Sequence, residues 1–166
     1  VRGFTLVELS IVVVIIAVTA AIALPNFDRL IRSNRVSTQS NELIASLALA
    51  RTEAIRTNTP VIGNRDVVMC ASNDGLTCAA DWNAGWIVAR RVDDAVTTVL
   101  RHTQQNEAVV IAGAESEIVF DNRGRRRAGP DALTVRAAKC DPGDTYFRTL
   151  QINASGQVRV INGNCT

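Results

Sequence analysis

Residues 3–25 read Gly3-Phe4-Thr5-Leu6-Val7-Glu8-Leu9-Ser10-Ile11-Val12-Val13-Val14-Ile15-Ile16-Ala17-Val18-Thr19-Ala20-Ala21-Ile22-Ala23-Leu24-Pro25. Residues 9–24 carry no charge, and across residues 4–24 the sole charged side chain is Glu8. At about 1.5 Å per residue, a helix over 4–24 reaches about 30 Å, the thickness of a hydrocarbon core. The β-branched run 11–16 is mediocre helix material in water, but lipid enforces the helix because every backbone group must pair internally. Three readings compete. A helix apolar on every face can be buried in a soluble core, and Ala21-Ile22-Ala23 behind Arg2 has the form of a signal-peptidase site. A retained membrane anchor is the reading the residues favour, because Glu8 stands where the apolar core of a signal peptide should begin. An unpaired carboxylate in a span costs about 2.5–3.5 kcal/mol on insertion scales. Glu8 therefore needs a positive partner, for which a chain terminus is the candidate.

Beyond Pro25 the pattern changes. Leu30, Leu43, Leu47, Ala50 and Ala54 recur at helical spacing, with Ile44, Ala48 and Ile55 alongside. Arg32, Arg35, Glu42, Arg51, Glu53 and Arg56 supply the polar side. This predicts an amphipathic helix to about residue 56, laid along a globular head. Pro25 can loosen that helix, or two helices can meet near Pro25 and Asn26. After Pro60 the text becomes β-like. Strands are expected at 61–62, 67–70, 86–92, 97–101, 108–111, 117–120, 133–136, 146–152 and 157–161, the last two forming a hairpin around Asn153-Ala154-Ser155-Gly156. The expected fold class is α+β: one long N-terminal helix on an antiparallel, β-rich head.

Four cysteines allow three pairings. The local one, Cys70 with Cys78 and Cys140 with Cys165, closes two compact units, and each bridge would stabilise the head by roughly 2–4 kcal/mol. Zinc is the rival, without paired C-x2-C hooks. Disulfides point to an oxidising, periplasmic location for the head. Charge flanking does not decide orientation, since Arg29, Arg32 and Arg35 also follow the span.

Composition narrows function. The net charge is +2, from 18 basic and 16 acidic residues, too balanced to indicate nucleic acid by itself. One histidine, His102, excludes sites built on several imidazoles. His102 reads as an ordinary strand or loop residue, Asp141 and Asp144 as turn residues, and Trp82 and Trp86 as core. Asp93-Asp94 has no matched acid, Ser10 lies inside the apolar run, and Gly124 and Gly129 form no phosphate loop. No enzyme, cofactor or metal is expected. Residues 121–166 hold eight basic side chains against four acidic. Their cluster Arg123-Gly124-Arg125-Arg126-Arg127 reads as a solvated turn between strands or as a set of phosphate contacts.

The block Gly3-Phe4-Thr5-Leu6-Val7-Glu8-Leu9 with its apolar run and Pro25 strongly resembles the class III signal of type IV pilins and pseudopilins. The resemblance implies residues 1–3 as the end of a leader, cleavage between Gly3 and Phe4, and N-methylation of Phe4. It further implies that Glu8 neutralises a terminal amine during assembly. Residues 4–24 would be the transmembrane and assembly helix, 25–57 its amphipathic continuation, and 58–166 the periplasmic head. Asn41 to Asn58, the Cys70–Cys78 block, Asp81-Trp82, Gly85-Trp86-Ile87-Val88, Ile118-Val119-Phe120 with Arg123-Gly124, and Ser155-Gly156-Gln157-Val158-Arg159-Val160 resemble the GspH/FimT group of minor pilins and pseudopilins. That likeness implies a low-copy, FimU- or FimT-like subunit that initiates, primes or caps a type IV pilus. Its single-pass inner-membrane form would precede a place within or at the tip of the filament. Implied partners are major and other minor pilins, a prepilin peptidase and N-methyltransferase, and inner-membrane assembly machinery. A type II secretion pseudopilus is the alternative setting. DNA uptake is another, with contacts at Arg123, Arg125, Arg126, Arg127 and Arg159. The receptor-like G-R-x-R pattern is broken here, because Gly156-Gln157-Val158-Arg159 has Gln157 in place of the first arginine.

Overall fold

The computed structural model describes residue 3, residues 5–57 and residues 65–165. One helix, α1 (Leu6–Thr57), runs for 52 residues, about 78 Å at 1.5 Å per residue. It continues through position 25, so the two-helix alternative does not apply. Proline there removes the one N–H that would reach back to the residue 21 carbonyl. The most apolar 18-residue window of α1 has mean hydropathy 2.7, and none of it is buried.

The second half of α1 is the spine of the head. Val36, Ser40, Leu43, Leu47, Ala50 and Ala54 are buried, at steps of four and three that keep one stripe on one side. Leu30, which the sequence pattern counts into this stripe, is 56% exposed because burial against the head begins at Val36. Glu53, expected on the polar side, is buried. Arg56 and Arg90 both pair with it, and the Arg56 hydrogen bonds lead in holding its carboxyl below the usual range against the effect of burial.

Among the described residues nine strands follow: β1 (Arg65–Ala71), β2 (Trp86–Val92), β3 (Ala95–Thr103), β4 (Val109–Gly113), β5 (Glu117–Phe120), β6 (Arg126–Ala128), β7 (Ala132–Ala137), β8 (Phe147–Ile152) and β9 (Val158–Gly163). They form two antiparallel sheets, in the orders β3-β2-β1-β5-β6 and β4-β7-β8-β9. The expected strand at Val61-Ile62 lies outside the described residues. Strand β6 replaces part of the expected arginine turn: Arg126 and Ala128 pair with Phe120 and Val119.

Strand period two sorts the core. Val67, Met69, Ala71, Trp86 and Val88 pack with the α1 stripe, while Val68, Cys70, Ile87, Ala89 and Val119 form a smaller cluster. Both faces of β1 and β2 are therefore covered, which explains why they read as nearly unbroken apolar runs. Polar ties fix the helix on the sheets. The Trp86 indole N–H donates to Ser46 Oγ at 2.9 Å, Arg148 donates to Ser37 Oγ at 2.7 Å, and Arg101 pairs with Glu42.

Candidate assembly interface

Glu8 lies in the first turn of α1. Its Oε2 accepts from the Thr5 N–H and the Thr5 hydroxyl, both at 2.9 Å, and Thr5 Oγ1 accepts from the Glu8 N–H at 3.2 Å. This is a reciprocal capping box, in which carboxylate and hydroxyl satisfy N–H groups that a helix start leaves open. Its signature, Thr5-x-x-Glu8, is present in the sequence; a search for a charged partner passes over it. Neutral donors leave the negative charge in place, so Glu8 can still pair with a cation. Phe4 and Arg2 lie outside the described residues, and Gly3 is exposed. The hydroxyls of the span are satisfied internally: Ser10 donates to the Val7 carbonyl at 2.8 Å, and Thr19 to those of Ile15 and Ile16 at 2.9 Å. Above Glu8, the span therefore presents lipid or a neighbouring helix with side chains that carry no charge and hydroxyls whose protons are already donated.

In the head, Cys70 is bonded to Cys78 and Cys140 to Cys165, with Cα atoms 5.6 Å apart in both pairs. That spacing lies within the ordinary disulfide range. Asp74 organises the first loop. It accepts from the Thr77 N–H and Thr77 hydroxyl, then from the Leu76 N–H, and these bonds hold its carboxyl well below the usual range. Gly75, at φ +73°, lies against His102; a Cβ there would stand 2.8 Å from the ring Nδ1. His102 is thus a packing surface for the loop. The second bridge ties the end of β9 to the loop after β7, where Cys165 N–H donates to the Asp144 carbonyl at 2.8 Å and Gly143 N–H to the Cys165 carbonyl at 3.0 Å. Asp141 and Asp144 also bond each other across their turn. Both tryptophans are buried, Trp82 donating to the Glu115 carbonyl at 2.9 Å.

The arginines do not act as one set. Asp121, buried, accepts from the Arg123 N–H, the Arg125 N–H and the Arg125 guanidinium at 2.8–2.9 Å. Burial pushes its carboxyl up, but the Arg125 and Arg123 N–H groups and the Arg125 guanidinium outweigh it, and the net direction is down. Arg126 folds back on the Gly129 carbonyl at 2.5 Å. Arg123, Arg127 and Arg159 are exposed and in no ion pair among the described residues. The β5–β6 connection, which holds Arg123, abuts the β8–β9 hairpin turn, since Arg126 N–H donates to the Ala154 carbonyl at 3.2 Å. Arg51 of α1 closes the junction, donating to the Gly124 carbonyl at 3.0 Å. Gly156 is required there, because at φ +75° a Cβ would stand 2.1 Å from the Gly124 carbonyl oxygen. Among the described residues, no group of three or more His, Cys, Asp or Glu is placed to hold a metal ion.

Comparison with known proteins gives this geometry a family. The family described as type II transport protein GspH matches residues 39–156, and the prokaryotic N-terminal methylation motif matches residues 1–24. The chain is 37% identical over 76 residues to the type IV major alpha-pilin of Moraxella bovis. That match spans 46% of this chain and 47% of the relative, so the chain covers about half the length of that pilin. A crystal structure of the type IV minor pilin FimU from Pseudomonas aeruginosa matches with a TM-score of 0.56 at 18% identity, over 78% of this chain and 98% of that one. The likeness to FimU is one of fold: a long N-terminal helix against antiparallel sheets. With the family match running from the middle of α1 to the closing hairpin, this chain is a member of the GspH family, built on the type IV pilin fold.

Proposed function

We propose that the chain is a low-copy subunit of a type IV pilus, where it helps initiate, prime or cap assembly. The observation that carries this reading is the shared helix: the exposed apolar half of α1 continues without a break into the buried spine of the head. A helix so built moves from lipid to a bundle of similar helices with little change in hydrophobic free energy, so packing and charge pairing set its position. Before assembly the chain would cross the inner membrane once, with its disulfide-bearing head in the periplasm. Cleavage after Gly3 and methylation of Phe4 would place a terminal amine one residue from the Thr5–Glu8 box. Mass spectrometry of the mature amino terminus reads that directly. The partners follow from this reading: major and minor pilins, the prepilin peptidase and methyltransferase, and the inner-membrane assembly machinery.

Glu8→Ala tests the role of the charge. Quantitative blotting of sheared filaments should show incorporation strongly reduced while the head's thermal unfolding is unchanged, because Glu8 touches nothing in the head. Normal incorporation of the variant would refute the pairing role. The GspH family match favours one further setting, a type II secretion pseudopilus, and a partner pull-down from each assembly system separates the two.

A further inference from the structure

A sheet edge leaves backbone N–H and C=O groups unpaired, and proteins ordinarily blunt such edges. Of the four edges formed by the described residues, three are blunted. Strand β3 carries two register shifts against β2, and β6 is three residues long with its Arg126 N–H given to Ala154. The outer side of β4 is capped by side chains: Ile111 N–H donates to Asn83 Oδ1 at 2.9 Å, and the Val109 carbonyl accepts from Gln105. The fourth edge, β9, has six residues, no proline and no register shift. Asn153 N–H donates to the Gln157 carbonyl at 3.0 Å, which fixes the parity of the hairpin. Phe147–Gly163, Thr149–Ile161 and Gln151–Arg159 are then the hydrogen-bonded pairs of the ladder. The N–H and C=O groups of Val158, Val160 and Asn162 point outward.

The side chains along this edge match an incoming strand. On the α1 side, Val158 borders a groove of about 400 Å³ shared with Ile44 and Ala48, and Val160 is 41% exposed. On the other side lie exposed Ile161 and Arg159, the latter in no ion pair among the described residues. Direction selects the occupant. Strand β9 starts beside Ile44, Ala48 and Thr52 of α1. It ends opposite Phe147, next to the Arg148–Ser37 bond, and therefore runs toward the membrane end. A second copy in the same membrane would present its β9 parallel to this one. Its outward-running edge, β4, is closed by Asn83 and Gln105.

We propose that β9 is a strand-addition site, and that it takes an open edge strand of a different subunit anchored in the same membrane. That strand would run outward, antiparallel to β9, with apolar side chains toward Ile44 and Ala48 and a carboxylate facing Arg159. The proposal rests on the filament reading above. Because β4 is capped, pairing is one-sided: the chain accepts a strand on β9 and offers none in return, which suits a subunit that does not polymerise with itself.

A photoreactive phenylalanine at position 160 of the full chain, expressed in its own cells, tests this. Peptide mapping should place the crosslink in an edge strand of a different pilin-type subunit, and the same probe at position 134 should give no such product. A crosslinked pair of this chain, or products confined to helices or lipid, would overturn it. Val160→Lys and Val160→Pro should lower incorporation into sheared filaments about tenfold, the effect of weakening one contact step by about 1.4 kcal/mol, with Tm unchanged. Ile161→Pro, whose N–H bonds Thr149, should instead lower Tm. If Val160→Pro fails to fold, Val160→Lys still decides. Wild-type chain missing from filaments counts against the filament reading itself. Wild-type chain present, with Val160→Lys equal to it, counts against strand addition alone.

Discussion

Asp121 holds the distal turn together. One buried carboxylate serves two backbone N–H groups and a guanidinium, and it connects β5 to β6 where the two sheets meet α1. Asp121→Asn keeps the shape but removes the charge and reduces the acceptor capacity, which should destabilise the head by about 1–3 kcal/mol in urea titrations at pH 7. The sign of the pH effect follows from the same bonds. Asp121, Glu53 and Asp74 have folded-state pKa values below their unfolded ones, near 4. Over the interval between the two, the unfolded chain binds more protons, so stability rises with pH. It should be flat from pH 7 to about 5 and fall below about 4, less steeply in Asp121→Asn. At this scale the sequence was legible where chemistry is scarce. A lone carboxylate at the head of an apolar run identifies Glu8 as a candidate. Asp121 was invisible, because an aspartate beside arginines looks the same whether it is buried or solvated.

Among the elements, the long helix and strands β2 and β5 were readable because periodicity and turn residues agree with the final packing. Strand β6 gave no signal: three residues, two of them arginine, become a strand only because β5 lies beside them. The capping of β4 was equally hidden: Asn83 arrives from a turn 28 positions away, and Gln105, four positions before Val109, reads as an ordinary loop residue. The two disulfides differ in what they close. With sequence separations of 8 and 25 between partners, chain entropy gives about 2.5 and 3.5 kcal/mol respectively. Removing Cys140 and Cys165 together should therefore lower stability slightly more than removing Cys70 and Cys78. Hydrogen exchange should locate the loosening at the end of β9 in the first case and around residues 71–78 in the second.

For the whole molecule, charge has been sorted by position. Arg125 and Arg126 are engaged with Asp121 and Gly129, which leaves Arg123, Arg127 and Arg159 near the distal end in no ion pair among the described residues. Three phosphate contacts would give a slope of log affinity against log salt of about −2.7 on duplex DNA. Full chain in non-ionic detergent should bind a duplex weakly near physiological salt, with a slope no steeper than that, in gel shifts at two salt concentrations. Micromolar or tighter binding there, abolished by neutralising these three residues, would make DNA capture the better function. The continuous helix also fixes the azimuth of the head. With no joint between residue 24 and Val36, one residue inserted in that stretch would turn the whole head about 100° around the helix axis and raise it about 1.5 Å. An insertion of seven would raise it about 10 Å yet bring it back to within about 20° of its starting bearing. Spacing between anchor and head is thus a compass setting as well as a length, and a subunit shifted out of phase would face its neighbours with the wrong side.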